Sequence, residues 1–430
     1  MSDVGATPDP ATPPLKLVND PYAVLRNRDL VLYLIGRFAS SLGQQMLTVA
    51  VMWELYERTN RALALGLVGL TNMVPMVLFT LPAGHTADNY SRKRIIILMT
   101  FAIACASIGL TFISALRARD LWIYVCLFVI GTARTFLWPA SSAFLPHLVT
   151  RQDFSRAVTW SSGSFQLASV LGPAAGGALI ALTHHKAAPD PASAAPVYAV
   201  NAVAAFLCLS LVSLVRRDHI VAVKEKMTFR SLVAGINFVF GSPVILGTIT
   251  LDLFAVLLGG ATALLPIFAK DILHTGPSGL GFLQAALPMG SLLCALVLTH
   301  RPPLQRAGRS LLFAVAIFGL STILFGFSRS FWVSYLALFT CGLVDYVSVV
   351  VRHTLVQLLT PDEKRGRVSA VNSLFIGTSN ELGAFESGLV ANWFGPVVSV
   401  VSGGIGTILV VIAVALKWPE IRRYGRLDAG

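Results

Sequence analysis

The sequence contains few charged residues, and this scarcity decides its class. Only 13% of the 430 residues are Asp, Glu, Lys or Arg, whereas 55% are hydrophobic and the mean hydropathy is +0.72. An ordinary soluble domain carries about 25% charged residues, so too few polar residues are present here to cover a soluble surface. The net charge of +12 does not indicate nucleic acid binding, because the basic residues are scattered between apolar runs.

Cysteine is also scarce, and several motifs of enzyme chemistry are missing. The five cysteines lie singly in apolar runs and form no CxxC, which indicates small buried side chains rather than disulfides or a metal site. The sequence has no Walker A motif, nucleophile elbow or zinc-ligand spacing. We therefore predict no enzyme activity, no cofactor and no bound metal. The adjacent pair His184 and His185 lies in a long loop, where such a pair is more often incidental than a metal site.

Apolar runs are abundant, and twelve of them reach the roughly 20 residues that cross a bilayer. They predict an all-α membrane protein of twelve transmembrane helices in two pseudo-symmetric six-helix bundles. Because their number is even, both ends of the chain belong on one side. The runs are residues 30–56, 63–83, 93–116, 121–146, 157–183, 196–215, 240–269, 279–299, 310–328, 331–358, 368–391 and 394–417.

A basic, polar interruption after the sixth run divides the chain in two. We expect an N-terminal bundle at 30–215, a cytoplasmic linker at 216–239 and a C-terminal bundle at 240–417. Residues 1–29 are Pro-rich and have no apolar core, so they predict a disordered cytoplasmic tail rather than a secretory signal. Residues 418–430 form a second cytoplasmic tail.

Lysine and arginine choose the orientation. One set of connections and chain ends holds 23 of the 33 basic residues, the other set holds seven, and three lie inside spans. Because basic loops stay on the cytoplasmic side, we expect both termini in the cytoplasm of a bacterial-type inner membrane.

The two halves carry an internal repeat. The fourth and fifth spans align with the tenth and eleventh, without gaps, at a shift of 211 positions. Repeated halves are typical of transporters, whose substrate site lies near mid-membrane where the halves meet. The same shift places Arg134 over Asp345, so we expect this cation and this anion to face each other across a central pathway. The matched pairs are Gly131 and Gly342, Leu148 and Leu359, Arg156 and Arg367, Leu171 and Leu382, Gly172 and Gly383, and Gly177 and Gly388.

Eight ionisable residues fall inside predicted spans. A charge at the bilayer centre costs about 2.5–3.5 kcal/mol on insertion scales, so such residues face a bundle interior or a watery cavity. Mid-depth carboxylates can carry protons, whereas arginines hold anions or fix carboxylates. Buried ion pairs that only orient helices are the alternative interpretation, and Glu54 lies close enough to its span's end to meet water. The eight residues are Arg37, Glu54, Arg134, Asp252, Asp345, Arg352, Glu381 and Glu386.

The stretch GHTADNYSRKR at 84–94 resembles the loop between helices 2 and 3 of the major facilitator superfamily. That pattern is G-x-L-A-D-R-x-G-R-K/R, and Asn89 and Ser91 depart from it. The resemblance implies a conformational switch on a short loop, in which Asp88 braces one end of helix 11. The matching residues are Gly84, Ala87, Asp88, Arg92 and Lys93.

Further stretches resemble the drug and siderophore exporters of this superfamily, the branch like the enterobactin exporter. They are GTARTFLWPASSAFLPHLV, FQLASVLGPAAGGAL, LDLFAVLLGGATALLPIFAKDIL and TPDEKRGRVSAVNSLFIGTSNELGAFESG. The helix-5 residues Gly172, Pro173, Gly176 and Gly177 match an antiporter motif that the family associates with export, although simple helix packing also explains them. In many relatives an acid follows the glycine of SSLG in helix 1, where this chain has Gln44.

The resemblance implies that helices 1, 4, 7 and 10 surround a substrate cavity. Asp252 and Asp345 are then the first candidates for proton coupling, with Glu381 on helix 11 as a third, although close packing explains that helix equally well. A water-filled crevice between the halves is expected to solvate Asp252 and Asp345. The candidate cavity residues are Arg37, Gln44, Arg134, Trp138 and Arg352.

Together these features predict a proton-coupled exporter of a siderophore-like molecule or an amphiphilic drug, working by alternating access. The alternatives are a facilitator or importer of a metabolite or lysophospholipid, and a membrane receptor that transports nothing. The expected partners are a small molecule, protons and the lipid bilayer, with no nucleic acid, and the expected state is a monomer.

Overall fold

The computed structural model describes residues 22–183, 191–216, 236–300, 306–423 and 425. The predictions for most of the N-terminal tail, most of the linker, the last residues of the chain and the His184–His185 pair lie outside these ranges.

Within the described ranges the chain is helical and contains no strand. Twelve helices of 19 residues or more follow one another in the order predicted, and the short helix α13, Pro419–Arg423, comes after them. The twelve are α1 Arg28–Thr59, α2 Ala62–Asn89, α3 Arg92–Ala115, α4 Leu121–Leu148, α5 Phe154–Thr183, α6 Ala195–Ser213, α7 Pro243–Ile272, α8 Gly276–Thr299, α9 Ala307–Phe327, α10 Phe331–Leu359, α11 Asp362–Phe394 and α12 Pro396–Lys417.

Ten of these helices are long and apolar enough to cross a membrane by themselves. The other two, α1 and α11, carry more charged and polar residues. Both are covered by protein, since α1 packs against α5 and α6, and α11 packs against α2 and α7. Their polar side chains are therefore sheltered by neighbouring helices, which is how membrane proteins tolerate such residues.

The helices form two halves, α1–α6 and α7–α12, that meet along two main seams. One seam joins α5 to α8 and the other joins α2 to α11. We call the end of the bundle where α1 begins and α12 ends the terminal end, and the opposite end, where α1 meets α2, the far end. The three far-end connections of the C-terminal half are at most three residues long, and Gly395 links α11 to α12 with a φ of 89°, a conformation that favours glycine.

The internal repeat predicted from the sequence is confirmed by packing. Glycines paired by the shift of 211 positions contact equivalent neighbours in the two halves. Gly131 of α4 faces α2 and its counterpart Gly342 of α10 faces α8. Likewise Gly172 faces α1 and Gly383 faces α7, whereas the last pair, Gly177 and Gly388, crosses to the opposite half, on α8 and α2 respectively.

The helix α7 is interrupted near its middle. A regular helix ends at Leu258, a 3-10 turn follows at Ala261–Leu264, and the last residues wind as a π-helix. A Cβ added to Gly260 would lie 2.5 Å from the carbonyl oxygen of Gly383, so the break lets α7 approach α11 closely. The break precedes Pro266, which begins the resumed helix rather than kinking a continuous one.

The prediction that Asp88 lies on a loop is wrong. The helix α2 continues to Asn89, and only Tyr90 and Ser91 separate it from α3. Two side chains support the added turn, because Thr86 donates to the carbonyl of Pro82 at 2.7 Å and Asn89 donates to the carbonyl of His85 at 2.8 Å. Asp88 is therefore held on the last helical turn.

Candidate functional site

A buried ion pair joins α7 and α10. Asp252 and Arg352 are in direct contact, and their side chains are 9% and 3% exposed. Each lies on a predicted span, and each was expected to face the cavity separately rather than as a pair. The structure brings them together, so each neutralises the other in a place that is poor in water.

Asp345 lies beside this pair without belonging to it. It lines the same small cavity as Asp252 and Ser348, yet within the described ranges it has no ion pair and no hydrogen bond. The centre of a water molecule can occupy about 10 Å³ in this cavity, which is enough room for about one water. The remaining walls are apolar and consist of Ala255, Val256, Ala314, Val315, Phe318 and Val344.

This placement differs from the expected crevice between the halves. The residues that line the cavity come from α7, α9 and α10, all of which belong to the C-terminal half. The sequence did not predict that α9 lines this cavity, because the residues that α9 contributes are ordinary apolar ones. The two acids are thus covered by their own bundle, and the space beside them suits a proton or a water molecule rather than an organic substrate.

The arginine predicted to face Asp345 lies instead near Glu381. The charge of Arg134, on α4 of one half, acts on the carboxylate of Glu381, on α11 of the other, and the amide of Asn72 on α2 lies within reach of the same carboxylate. Backbone packing supports this arrangement, since a Cβ added to Gly69 would lie 2.5 Å from the carbonyl oxygen of Glu381. Asn72 also borders Gly131, one turn from Arg134.

Trp138 lies one turn beyond Arg134 on α4, and both side chains are exposed, Trp138 to 69%. Residues four apart share a helical face, so α4 presents a cation and an aromatic ring side by side. Arg134, Glu381 and Asn72 make a polar cluster at the seam between the halves, and Trp138 lies one turn further along α4. This cluster, rather than the Asp252 cavity, joins groups from both halves.

The two α1 candidates have different surroundings. Gln44 donates to Ser40 of its own helix at 3.2 Å, whereas its neighbour Gln45 donates to Ser169 of α5 at 2.9 Å. Arg37 lies near Tyr33 and Cys208, between α1 and α6. Neither Gln44 nor Arg37 is thereby brought to the Arg134 cluster.

The helix-5 glycines pack on two different helices. Gly172 and Gly176 face α1, where added Cβ atoms would meet Gln45 and Met46 at 2.5 and 3.0 Å. Gly177 faces the other half, because its added Cβ would lie 2.4 Å from the carbonyl oxygen of Pro277 on α8. Gly281 approaches the carbonyl oxygen of Pro173 equally closely. The motif thus makes one helix fit against both halves.

Polar links between the halves extend from mid-depth to the far end. In the described ranges they include the Tyr56 hydroxyl on Asp271, and Lys270 Nζ at 3.2 Å from Glu57 and 3.1 Å from Asn60. Deeper links run from Gln166 to the carbonyl of Pro288 at 2.7 Å and from Gln284 to Met52 at 3.4 Å.

Sequence reasoning missed the far-end residues, which we call the far-end clamp: Tyr56, Glu57, Asn60, Lys270 and Asp271. Each stands at the margin of an apolar run, where polar residues are ordinary, and only their meeting across the halves marks them.

The expectation that Glu54 meets water is also wrong. It is 1% exposed, its carboxylate lies 2.5 Å from Arg58, and that arginine also lies 3.3 Å from Asp120, the residue before α4. Its position near a span end did not reveal its buried ion pair with Arg58.

The predicted switch residues at the terminal end hold helix ends together. Arg92 contacts His147 and donates to the carbonyl of Ala143 at 3.2 Å, and Lys93 donates to the carbonyl of Val215 at 2.7 Å. Cations are favourable where helix C-termini leave carbonyls unpaired. Asp88 has no partner within the described ranges, and an added Cβ at Gly84 would meet nothing within 4 Å.

Among the described residues, no group of three or more His, Cys, Asp and Glu side chains could hold a metal ion. The site consists of carboxylates and guanidinium groups placed between helices.

Comparison with known proteins places this architecture in a family. The family model described as a transmembrane secretion effector matches residues 19–424. The enterobactin exporters EntS of Escherichia coli O1:K1 / APEC and of Shigella boydii serotype 18 are each 26% identical over 400 residues, which cover 91% of this chain and 92% of each exporter.

Solved structures share the fold at low identity. A POT family transporter in complex with 5-aminolevulinic acid superposes with a TM-score of 0.72 at 14% identity, over 92% of this chain and 97% of that one. A bacterial homologue of the human lysosomal transporter Spinster gives 0.71 at 14% identity, over 94% and 97%. The chain is a multi-pass membrane protein that belongs to the transmembrane secretion effector family, and it has the fold of a major facilitator superfamily transporter.

Proposed function

We propose that this transporter exports a small organic molecule across a bacterial cytoplasmic membrane in exchange for protons. The similarity to enterobactin exporters, over nearly the whole chain, supports export of a siderophore-like or amphiphilic compound. The observation that carries the proton claim is Asp345, an acid that has no partner in the described part of the chain and shares a cavity with the Asp252–Arg352 pair.

In this proposal Asp345 binds and releases the coupled proton. A carboxylate inside a membrane protein is costly when charged, so a proton and a change of surroundings are readily linked. Asp252 already has Arg352 as its counter-ion and stays charged. The neighbouring cavity admits about one water, which can accept or donate that proton beside Asp345.

The substrate in this proposal binds where the halves meet, at the Arg134 cluster. Arg134 supplies a fixed positive charge, and Trp138 supplies an exposed aromatic face, a combination suited to an anionic aromatic ligand. Because Glu381 interacts with the same guanidinium, a ligand anion and the carboxylate compete for Arg134.

Alternating access is proposed to proceed from a state closed at the far end. The polar links between the halves, from Gln166 at mid-depth to the far-end clamp, favour an opening at the terminal end in this conformation. The excess of basic residues in the connections at that end supports a cytoplasmic location for it and for both chain termini. We further propose that one chain is sufficient for transport.

Inverted membrane vesicles provide the test. Cells with and without the gene are first screened for protection against siderophores and toxic amphiphiles, and the protecting compound is then used in flux assays. We expect uptake into inverted vesicles that a protonophore abolishes. Uptake that persists without a proton gradient contradicts coupling, and uptake that occurs only into right-side-out vesicles contradicts export.

A further inference from the structure

A groove on the outer surface of the C-terminal half ends in two arginines. It lies at the terminal end, between α9, α12 and the short helix α13, and has a volume of about 600 Å³. Ligand pockets commonly occupy about 300–1,000 Å³. Its lining residues are Arg309, Leu312, Phe313, Ala316, Val411 and Arg422.

The two arginines come from different elements that the structure fixes relative to each other. Arg309 lies in the first turn of α9, and Arg422 lies on α13. The helix α13 is anchored by Ile421, which is fully buried against Gly247 of α7, and the amide of Ala307 donates to the carbonyl of Gly425 at 3.1 Å. The backbone anchors of both arginines are therefore fixed beside the groove.

Neither arginine has a counter-ion in the described part of the chain. Arg309 and Arg422 are exposed and form no ion pair or side-chain hydrogen bond there. Glu420 is the nearest acid in sequence, but residues two apart point to different sides of a helix. These two cations lie beside the start of α9, where the helix dipole also favours negative charge. The mouth of the groove is therefore suited to an anion.

Below the arginines the groove is apolar and faces outward. Phe313 is 69% exposed on α9, and Ala316 lies seven residues after Arg309, which is about 10 Å along a helix axis. The groove thus changes from cationic at the membrane boundary to hydrocarbon-like within the bilayer. A free phosphate compound would leave the apolar part empty, whereas a phospholipid has both an anionic headgroup and an acyl chain.

We propose that this groove binds an anionic phospholipid, with its phosphate between Arg309 and Arg422 and an acyl chain along Phe313 and Ala316. Basic pockets between membrane helices at the cytoplasmic side are suited to such headgroups. The site adjoins the proton cavity, because α9 presents Leu312, Phe313 and Ala316 to the groove and Ala314, Val315 and Phe318 to the cavity beside Asp345. The bound lipid supports one wall of that cavity.

Native mass spectrometry of the purified full-length protein tests the proposal, using phosphatidylglycerol and phosphatidylcholine as probes. We expect retention of phosphatidylglycerol at a level well above phosphatidylcholine. Arg309→Gln/Arg422→Gln should weaken phosphatidylglycerol binding by about 25-fold, from roughly fivefold for each arginine near a membrane surface. The matched control, Arg94→Gln/Arg151→Gln, removes two exposed arginines elsewhere at the terminal end and should leave binding unchanged.

A second variant separates a lipid site from a phosphate site. Ala316→Phe fills the apolar groove and keeps both arginines, so it should reduce phosphatidylglycerol retention several-fold. Equal retention of the two lipids overturns the proposal, as does equal loss in the control variant. Full displacement of the lipid by glycerol phosphate, or no effect of Ala316→Phe, also overturns it by showing that only the anion is recognised. These outcomes are independent of whether the protein exports anything.

Discussion

Asp252 of α7 and Arg352 of α10 form an ion pair almost free of solvent, and this pairing separates two acids that look alike in the sequence. Asp345 borders the same cavity but has no such partner within the described ranges. Removing the Asp252 carboxylate breaks a buried pair, whereas removing that of Asp345 breaks none within the described ranges. The two acids are therefore expected to respond differently to the same substitution.

Asp345→Asn should uncouple transport while the fold persists. An amide has nearly the shape of the carboxyl group but cannot exchange a proton, and no ion pair within the described ranges is lost. We expect proton-driven uptake into inverted vesicles to fall at least tenfold, with the thermal unfolding midpoint within a few degrees of wild type. Unchanged proton-driven uptake would remove Asp345 from the coupling step.

Asp252→Asn should mainly destabilise the protein. It leaves the buried guanidinium of Arg352 without its counter-charge, and breaking a buried pair in this way costs on the order of 3 kcal/mol. The double variant Asp252→Asn/Arg352→Gln removes both charges and should recover much of the lost stability. Thermal unfolding in detergent measures both effects. A double variant less stable than the single one would show that the pair is not coupled as described.

Glu381→Gln should strengthen binding of an anionic substrate. The neutral amide no longer competes for Arg134, so we expect about tenfold tighter binding and a weaker dependence of affinity on pH, measured by titration of the purified protein. Arg134→Gln should weaken the same binding by a similar factor. Glu386→Gln is the matched control, because Glu386 is on the same helix and its nearest polar contact is Ser387. Equal effects of the two glutamate variants would contradict competition at Arg134.

Gly177→Ala should widen the seam between α5 and α8. The added Cβ would lie 2.4 Å from a backbone carbonyl, which cannot yield as a side chain can. We expect a loss of about 1–3 kcal/mol, as for overpacked interiors, together with slower transport. Gly163→Ala on the same helix meets nothing within 4 Å and serves as the control. Because alanine favours a helix more than glycine does, Gly163→Ala should not lower the unfolding midpoint, and midpoints that fall equally in both variants would contradict a loss at the seam.

Tyr56→Phe/Lys270→Gln should loosen the far-end clamp. The pair of changes removes the Tyr56 hydroxyl from Asp271 and the charge that Lys270 places 3.2 Å from Glu57. A cysteine introduced as Gln284→Cys lies behind the clamp, and its reaction with a maleimide, followed at that position by mass spectrometry, should accelerate several-fold. Arg61→Gln, an exposed change at the same end, should not accelerate it. A rate unaffected by the clamp variant would mean that other contacts keep the far end closed.

Some positions could be assigned from sequence because their signal is local or repeated. Apolar runs located the long helices, and the shift of 211 positions correctly paired Gly131 with Gly342 and Gly177 with Gly388. A glycine that recurs at the same position in both halves makes the equivalent helix contact in both. Aligning one half of the sequence with the other therefore reveals such glycines.

Partners across helices could not be assigned in that way. The sequence placed Arg134 opposite Asp345, because two charges at equal depth look complementary, but the structure sets Arg134 near Glu381 and leaves Asp345 beside Asp252. Depth along a helix follows from residue number, whereas the direction of a side chain depends on the rotation of each helix in the bundle.

The sequence by itself determined that this chain is a membrane protein with repeated halves, because hydrophobic length and internal similarity are properties of residue order. Only the tertiary structure decided which charges neutralise each other, which acid stands alone and which glycines join the halves. Those outcomes depend on contacts between helices that are far apart in the chain. Rotating one helix about its axis by the angle of one residue would turn a side chain from a buried neighbour toward the bilayer.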